Sequence, residues 1–443
     1  MSERSRVKKI ALYMVAVLLL AFFAGVAVQH RGSAQAANDY ESIELFTDVL
    51  TIVKKSYVED VDTKKLIYGA INGMLTSLDP HSSFMPPEMY KEMRIETKGS
   101  FGGLGIEISI KDGILTVISP IEDTPAYKAG IKAGDQILKI DDRFTKDLSI
   151  MEAVKRMRGK KGTKVVLTIM RDGFERPKEF PLIRDIIQVK SVKYKTLDEG
   201  FGYIRIAQFQ ERTDGDLAAA LASLKKSSKG KLSGLVLDLR NDPGGLLEQA
   251  VRVADHFLPD GKLIVYTEGR EKDSKMRFNA QKGEKEPDYP IVVLINSGSA
   301  SASEIVAGAM QDHKRAVIMG TQSFGKGSVQ TIIPLSDDSG LRLTTARYYT
   351  PSGRSIQAKG ITPDIIVEKV ELSTSEKKDG LNIREKDLEN HFETDHEEIT
   401  EKKVEEPIPP YKSDEQIKGD YQILRALDLL KGWDILKKMG QSS

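Results

Sequence analysis

Ile291-Val292-Val293-Leu294-Ile295-Asn296-Ser297-Gly298-Ser299-Ala300-Ser301-Ala302-Ser303-Glu304-Ile305 joins an unbroken apolar pentapeptide to a run of small and hydroxylated residues. Five consecutive apolar residues suit a strand covered on both faces. Residues 303–311 then read as a helix. The stretch therefore predicts a buried strand feeding a helix N-terminus. Residues 235–239 are a second strand of this kind, followed by an amphipathic helix over 246–257, and residues 316–319 make a third strand. This alternation over residues 186–367 predicts an α/β core.

Upstream, residues 99–182 read as a small β-rich domain. Gly102-Gly103-Leu104-Gly105 forms a turn into the short alternating strand Ile106-Glu107-Ile108. Residues 38–94 read as helical, with apolar residues at helical spacing from Ile43 and again from Leu66. Leu78-Asp79-Pro80-His81-Ser82 turns the chain after the second helix. Residues 368–418 are mostly charged and polar and predict a flexible tail. Residues 419–443 return to a helix, with Trp433 expected to pack it.

The amino terminus carries Arg4, Arg6, Lys8 and Lys9 on residues 1–9, a basic tail expected to stay cytoplasmic. The uncharged apolar run 10–28 follows and is about long enough to span hydrocarbon. Two readings stay open: an uncleaved transmembrane anchor, or a signal peptide ending at Ala34-Gln35-Ala36. Either sends the bulk of the chain to the cell envelope, at the periplasmic or extracytoplasmic face of the inner membrane.

Composition narrows the chemistry. With 443 residues the chain exceeds one compact core. A net charge of +1 supplies no overall field for nucleic acid. The absence of cysteine excludes disulfides, thiolate metal sites and a cysteine nucleophile.

Ser301 stands at the predicted helix start, where free N–H groups and the helix dipole favour negative charge. That suits a nucleophile whose attack creates an oxyanion. A serine hydroxyl needs a base, and none of the 6 histidines lies in a triad context. Lys326, in Ser323-Phe324-Gly325-Lys326-Gly327-Ser328-Val329-Gln330, can serve if burial lowers its pKa. Gln330, an even number of residues on in a strand, would share its face and orient it.

These residues resemble the carboxyl-terminal processing, or tail-specific, proteases. Four blocks carry the resemblance in order: Leu-Asp-Leu-Arg-Asn-Asp-Pro-Gly-Gly from Leu237, Gly-Ser-Ala-Ser-Ala-Ser-Glu-Ile from Gly298, Phe-Gly-Lys-Gly-Ser-Val-Gln from Phe324, and Tyr-Tyr-Thr-Pro-Ser-Gly-Arg-Ser-Ile-Gln from Tyr348. The resemblance implies a ClpP/crotonase-like α/β protease core. It makes Ser301 the nucleophile, Lys326 the base and Gln330 its support. The amide of Ala302, with that of Gly244 or Gly245, would form the oxyanion hole. The β-rich domain resembles a PDZ domain of permuted bacterial order. Its carboxylate-binding loop would be Gly103-Leu104-Gly105-Ile106, recruiting polypeptide substrates with accessible C-termini. No metal, nucleotide or other cofactor is implied. The helices of residues 40–94 and 420–435 are candidate dimer elements of a homo-oligomer.

Plainer readings compete. Ser301-x-x-Glu304 is also a capping box, and both roles are compatible. Gly320 to Lys326 nearly spells a phosphate-binding loop, but Gly327 replaces the metal-binding Ser/Thr and a strand follows. A binding scaffold with a degenerate core and a crotonase-like acyl-transfer enzyme are the rival classes. The intact Ser301, Lys326 and Gln330 oppose the first, and the PDZ-like domain opposes the second.

Overall fold

The computed structural model describes residues 40–198, 200–369, 384–387 and 420–440. The apolar run 10–28 lies outside them. Among the described residues no helix is long and apolar enough to cross a membrane.

The chain divides into two units, residues 1–74 and 75–443. Within the first, residues 40–56 form a helix with Ile43, Phe46 and Val49 exposed. The helix Thr63–Thr76 opens there, and the Asp62 carboxylate accepts from Lys64 N–H at its start (2.8 Å). An acceptor in that position satisfies one of the orphan amides of the first turn.

In the second unit, a six-stranded sheet runs in the order Val192–Asp198, Phe201–Ile206, Gly234–Asp238, Ile291–Ile295, Val317–Gly320, Ile365–Ile366. Only the first pair is antiparallel. Alternate residues explain the unbroken apolar strands. Leu235, Leu237, Ile291, Val293 and Ile295 pack on one face with the helices Thr213–Ser227, Leu247–Asp255 and Ala302–Asp312. Val236, Val292 and Leu294 pack on the other with Ile423, Ala426 and Leu430 of the helix Tyr421–Gly440. Both faces are therefore dry, as a parallel sheet requires. Trp433 takes no part; it is 57% exposed, because the helix buries its first half and leaves Ile435, Leu436 and Met439 in solvent as well.

A second sheet pairs Ser83–Met85, Gly340–Tyr349, Leu263–Gly269 and Arg277–Asn279, with Ser328–Pro334 also on Gly340–Tyr349. The strand Ser83–Met85 lies inside the region expected to be all helical. Three residues give too short a run for periodicity to reveal, and pairing with a distant strand creates it. The helix Pro87–Lys98 follows and stops at Gly99, whose φ of 67° is left-handed.

The β-rich domain is a sheet of Ile106–Lys111, Ile114–Pro120, Gln136–Ile140, Lys164–Met170 and Lys178–Ile183, with Arg143–Phe144 on its margin. Its own core includes Val117, Ile137, Val165, Leu167 and Ile169. The helix Ile150–Met157 is started by a complete capping box between Ser149 and Glu152. Where the sequence suggested a plain turn, Ser100–Gly103 is a strand. It pairs antiparallel with Asp185–Gln188, so the chain enters and leaves this domain side by side.

Candidate active site

Four chain segments meet around Ser301. Its backbone is unusual: φ is 55° and ψ −111°, a region that costs a non-glycine residue about 1–3 kcal/mol. The strain is offset locally, because Ser301 N–H donates to Glu304 Oε2 (2.8 Å), the carboxylate half of the expected capping box. Glu304 is fully buried. Its Oε2 also accepts from Lys326 N–H (3.0 Å), and its Oε1 accepts from Gly325 N–H (2.8 Å) and Ser323 Oγ (2.6 Å). Burial pushes the Glu304 carboxyl up to about 7, against the pull of these four donors toward the ionised form.

The same carboxylate thus holds the lysine loop against the serine turn. Burial drives the Lys326 ammonium below its ordinary value; Glu385, Glu304 and Asp79 oppose that and Arg342 reinforces it. The buried Tyr348 phenol donates to the Lys326 carbonyl oxygen. Among the described residues no hydrogen bond joins Ser301 Oγ to the Lys326 amine. His81 pairs with Glu385, His256 with Asp214, and His313 with the Leu263 carbonyl oxygen, so none of the three serves Ser301.

Asn241-Asp242-Pro243-Gly244-Gly245 forms the third segment. A Cβ on Gly244 would lie 2.9 Å from Ser301 Cβ and 2.9 Å from Ala302 N, so only glycine allows this approach. Gly244 N–H donates to Asp242 Oδ1 (2.9 Å) and is committed. Phe209 bridges the strand-like pair beside it, with Phe209 N–H on the Gly244 carbonyl and Leu246 N–H on the Phe209 carbonyl. Among the described residues the N–H groups of Gly245 and Ala302 donate to no protein group. Asp242 is buried, and burial raises its carboxyl well above the usual range. The segment is braced from behind. Arg240 binds Asp238 at both oxygens (2.9 and 2.7 Å) and reaches Asp420 (3.0 Å) and Gln422 (2.6 Å) of the C-terminal helix.

Among the described residues Gln330 makes no hydrogen bond to the Lys326 amine. Lys326 precedes the strand Ser328–Pro334, and a bulge between Val329 and Gln330 breaks the alternation that put the two side chains together. Gln330 Nε2 donates instead to Ser328 Oγ (2.9 Å) and Thr344 Oγ1 (3.4 Å). Gln357 occupies the neighbourhood of the lysine: its Oε1 accepts from Gly327 N–H (2.9 Å). Tyr348 and Gln357 begin and end the fourth sequence block, so a signal for both was present; sequence reasoning gave neither a role.

In the β-rich domain, Leu104 and Gly105 are fixed through their carbonyls, which accept from Ala126 N–H (3.0 Å) and Ile121 N–H (2.9 Å). Gly105 has φ 78°, and a Cβ there would collide with Thr124 at 2.3 Å. Gly103 ends one strand and Ile106 begins the next.

Residues 200–367 match the model of peptidase family S41, residues 102–179 that of the PDZ domain, and residues 22–89 that of the activating protease CtpB N-terminal domain. The chain is 48% identical over 421 residues to a carboxy-terminal-processing protease of Bartonella bacilliformis, covering 95% of this chain and 96% of that protein. It is 41% identical over 317 residues to the carboxy-terminal processing protease CtpA of Bacillus subtilis, covering 71% and 67%. The solved photosystem II D1 C-terminal processing protease is 31% identical and covers 73% of this chain and 92% of its own, with a TM-score of 0.42. An S41 core with a PDZ domain defines a serine-type peptidase. The chain belongs to the carboxyl-terminal processing protease family.

Proposed function

We propose that this peptidase works through a Ser301–Lys326 dyad on exported proteins, acting from their C-terminal region. The observation that carries the reading is the shared Glu304 carboxylate. It ties the backbone of Ser301, at a helix N-terminus, to that of the half-buried Lys326.

Neutral Lys326 takes the Ser301 proton as Oγ attacks the peptide carbonyl. The N–H groups of Ala302 and Gly245 hold the oxyanion, since that of Gly244 already serves Asp242. Lys326 returns the proton to the leaving amine, and water then releases the acyl group by the same route in reverse. Gln330 supports the lysine wall indirectly, through Ser328 and Thr344. A groove of about 880 Å³ whose lining includes Tyr90, Met93, Leu246 and Ile332 lies beside the glycine segment and suits an extended peptide. The PDZ loop Gly103–Ile106 recruits the substrate's terminal carboxylate. The apolar run 10–28 delivers the enzyme to the extracytoplasmic side, as cleaved signal or anchor.

The test uses the chain from about Asn38 onward with unfolded casein, beside Ser301→Ala and Lys326→Ala. Cleavage by the parent and silence of both folded variants is the expected result. Cleavage by Lys326→Ala overturns the dyad.

A further inference from the structure

Residues 384–387 lie inside the segment that composition marked as a flexible tail, yet they are packed against the protease core. Glu385–Asp387 is a single helical turn, and Glu385 is fully buried. Glu385 N–H donates to the carbonyl of Phe324, two residues before Lys326 (3.1 Å). Its carboxylate meets His81 Nε2 through both oxygens (2.6 and 2.7 Å) and accepts from Gln357 Nε2 (2.8 Å). Gln357 holds Gly327 N–H with its other amide atom, so the pocket adjoins the lysine on both sides. Arg384 adds a bond to Gln322 (2.9 Å). Of the charges acting on Lys326, that of Glu385 is the largest.

Every group receiving Glu385 belongs to the core: His81 from the turn after Leu78, Gln357 from the block after Tyr348, Phe324 from the lysine loop. A backbone bond together with a side chain in a polar pocket is how a peptide ligand is held. Arg384–Asp387 is charged at all four positions, and among the described residues charge and hydrogen bonding seat it there.

We propose that His81, Gln357 and the Phe324 carbonyl form a subsite beside Lys326 for an acidic residue of a bound peptide, and that the chain's own Arg384–Asp387 fills it in cis. The ligand class is a peptide bearing a Glu-type carboxylate. The internal segment competes with it. This deepens the dyad reading and rests on it for the subsite's meaning, but its test is kept independent of turnover.

In a Ser301→Ala background, binding of a fluorescent Arg-Glu-Lys-Asp peptide is measured by anisotropy, with and without Glu385→Ala. Vacating the pocket is expected to raise affinity at least tenfold, and an Arg-Gln-Lys-Asp peptide is expected to bind at least about tenfold more weakly than its acidic parent, the worth of one charge-assisted pair. In the Ser301-containing enzyme, Glu385→Ala should lower KM for acidic peptides more than for neutral ones, whatever the loss of its charge does to kcat through Lys326. Equal affinity for the two peptides, or no gain on vacating the pocket, overturns the proposal. So does a fall in kcat at unchanged KM, which would make Glu385 a fixed part of the lysine's surroundings. If Glu385→Ala fails to fold, Glu385→Gln, which keeps the volume and loses the charge, carries the same comparison. If the Ser301-containing enzyme cleaves nothing, the dyad reading fails while the binding measurement still judges the subsite.

Discussion

Replacing Glu304 by Gln separates the two things this carboxylate does. Burial raises it from 4.5 to about 7, so the folded protein holds that proton more tightly than the unfolded chain. Its contribution to stability is then complete below about pH 4.5 and is lost as pH rises through about 7. At about 1.4 kcal/mol per pH unit the loss is about 3 kcal/mol. A glutamine cannot ionise and carries no such slope. It also cannot accept four bonds. With its oxygen at the Oε2 position it keeps Ser301 and Lys326, and its NH₂ then faces Ser323 Oγ, which can turn, and Gly325 N–H, which cannot. At pH 4.5 the parent carboxyl is itself protonated and neutral, so the bond lost there is a neutral one, worth about 0.5–1.5 kcal/mol. The variant should therefore be about 1 kcal/mol less stable than its parent at pH 4.5 and about 2 kcal/mol more stable at pH 8. Urea midpoints in a Ser301→Ala background, which prevents self-digestion, measure this. All other titrating groups cancel in the difference. Parallel stability profiles between pH 4.5 and 8 would refute the argument, and would mean that the four donors keep Glu304 ionised throughout.

Other perturbations follow from the same geometry. Activity (kcat/KM) should climb with pH through a value below the ordinary 10.5 of lysine, because burial favours neutral Lys326; a profile flat down to pH 5 contradicts a lysine base. Gly245→Ala should abolish casein cleavage, by at least about 100-fold. Its φ of 142° is glycine territory, and a Cβ would lie 2.2 Å from the Phe209 carbonyl oxygen; retained activity rejects the assigned oxyanion segment. Arg240→Ala leaves buried Asp238 with only Tyr203 Oη (2.8 Å) and the longer Arg205 contact (3.5 Å), and should cost about 1.5–3 kcal/mol by thermal or urea unfolding. A loss under about 1 kcal/mol would show that the C-terminal helix is held by its apolar contacts alone.

The α/β core was legible because two apolar pentapeptides admit few arrangements other than strands buried on both faces. That the serine turn, the lysine loop and the glycine pair come together was foreshadowed because close backbone approach and a helix start leave marks in residue type. Gln330's partners were not, since a bulge is set by the pairing strand and shifts no letter of the sequence. Nor was the choice between Gly244 and Gly245, which turns on one bond from Gly244 N–H to Asp242. The strand Ser83–Met85 and the burial of Glu385 were hidden for a common reason. Each is made by partners outside its own stretch of chain, and charged or three-residue stretches have no periodicity to betray them.

One oxygen atom, Glu304 Oε2, receives the amides of both Ser301 and Lys326. The two backbones can therefore be no further apart than those two bonds laid end to end, whatever happens in the chain between them. The strand Val317–Gly320 is itself fixed by pairing with Ile291–Ile295, but the turns on either side of it can change length without parting the proposed nucleophile and base. A change at the first turn of the helix Ala302–Asp312 moves both together. On the dyad reading, the reacting pair is in that sense referenced to a single point.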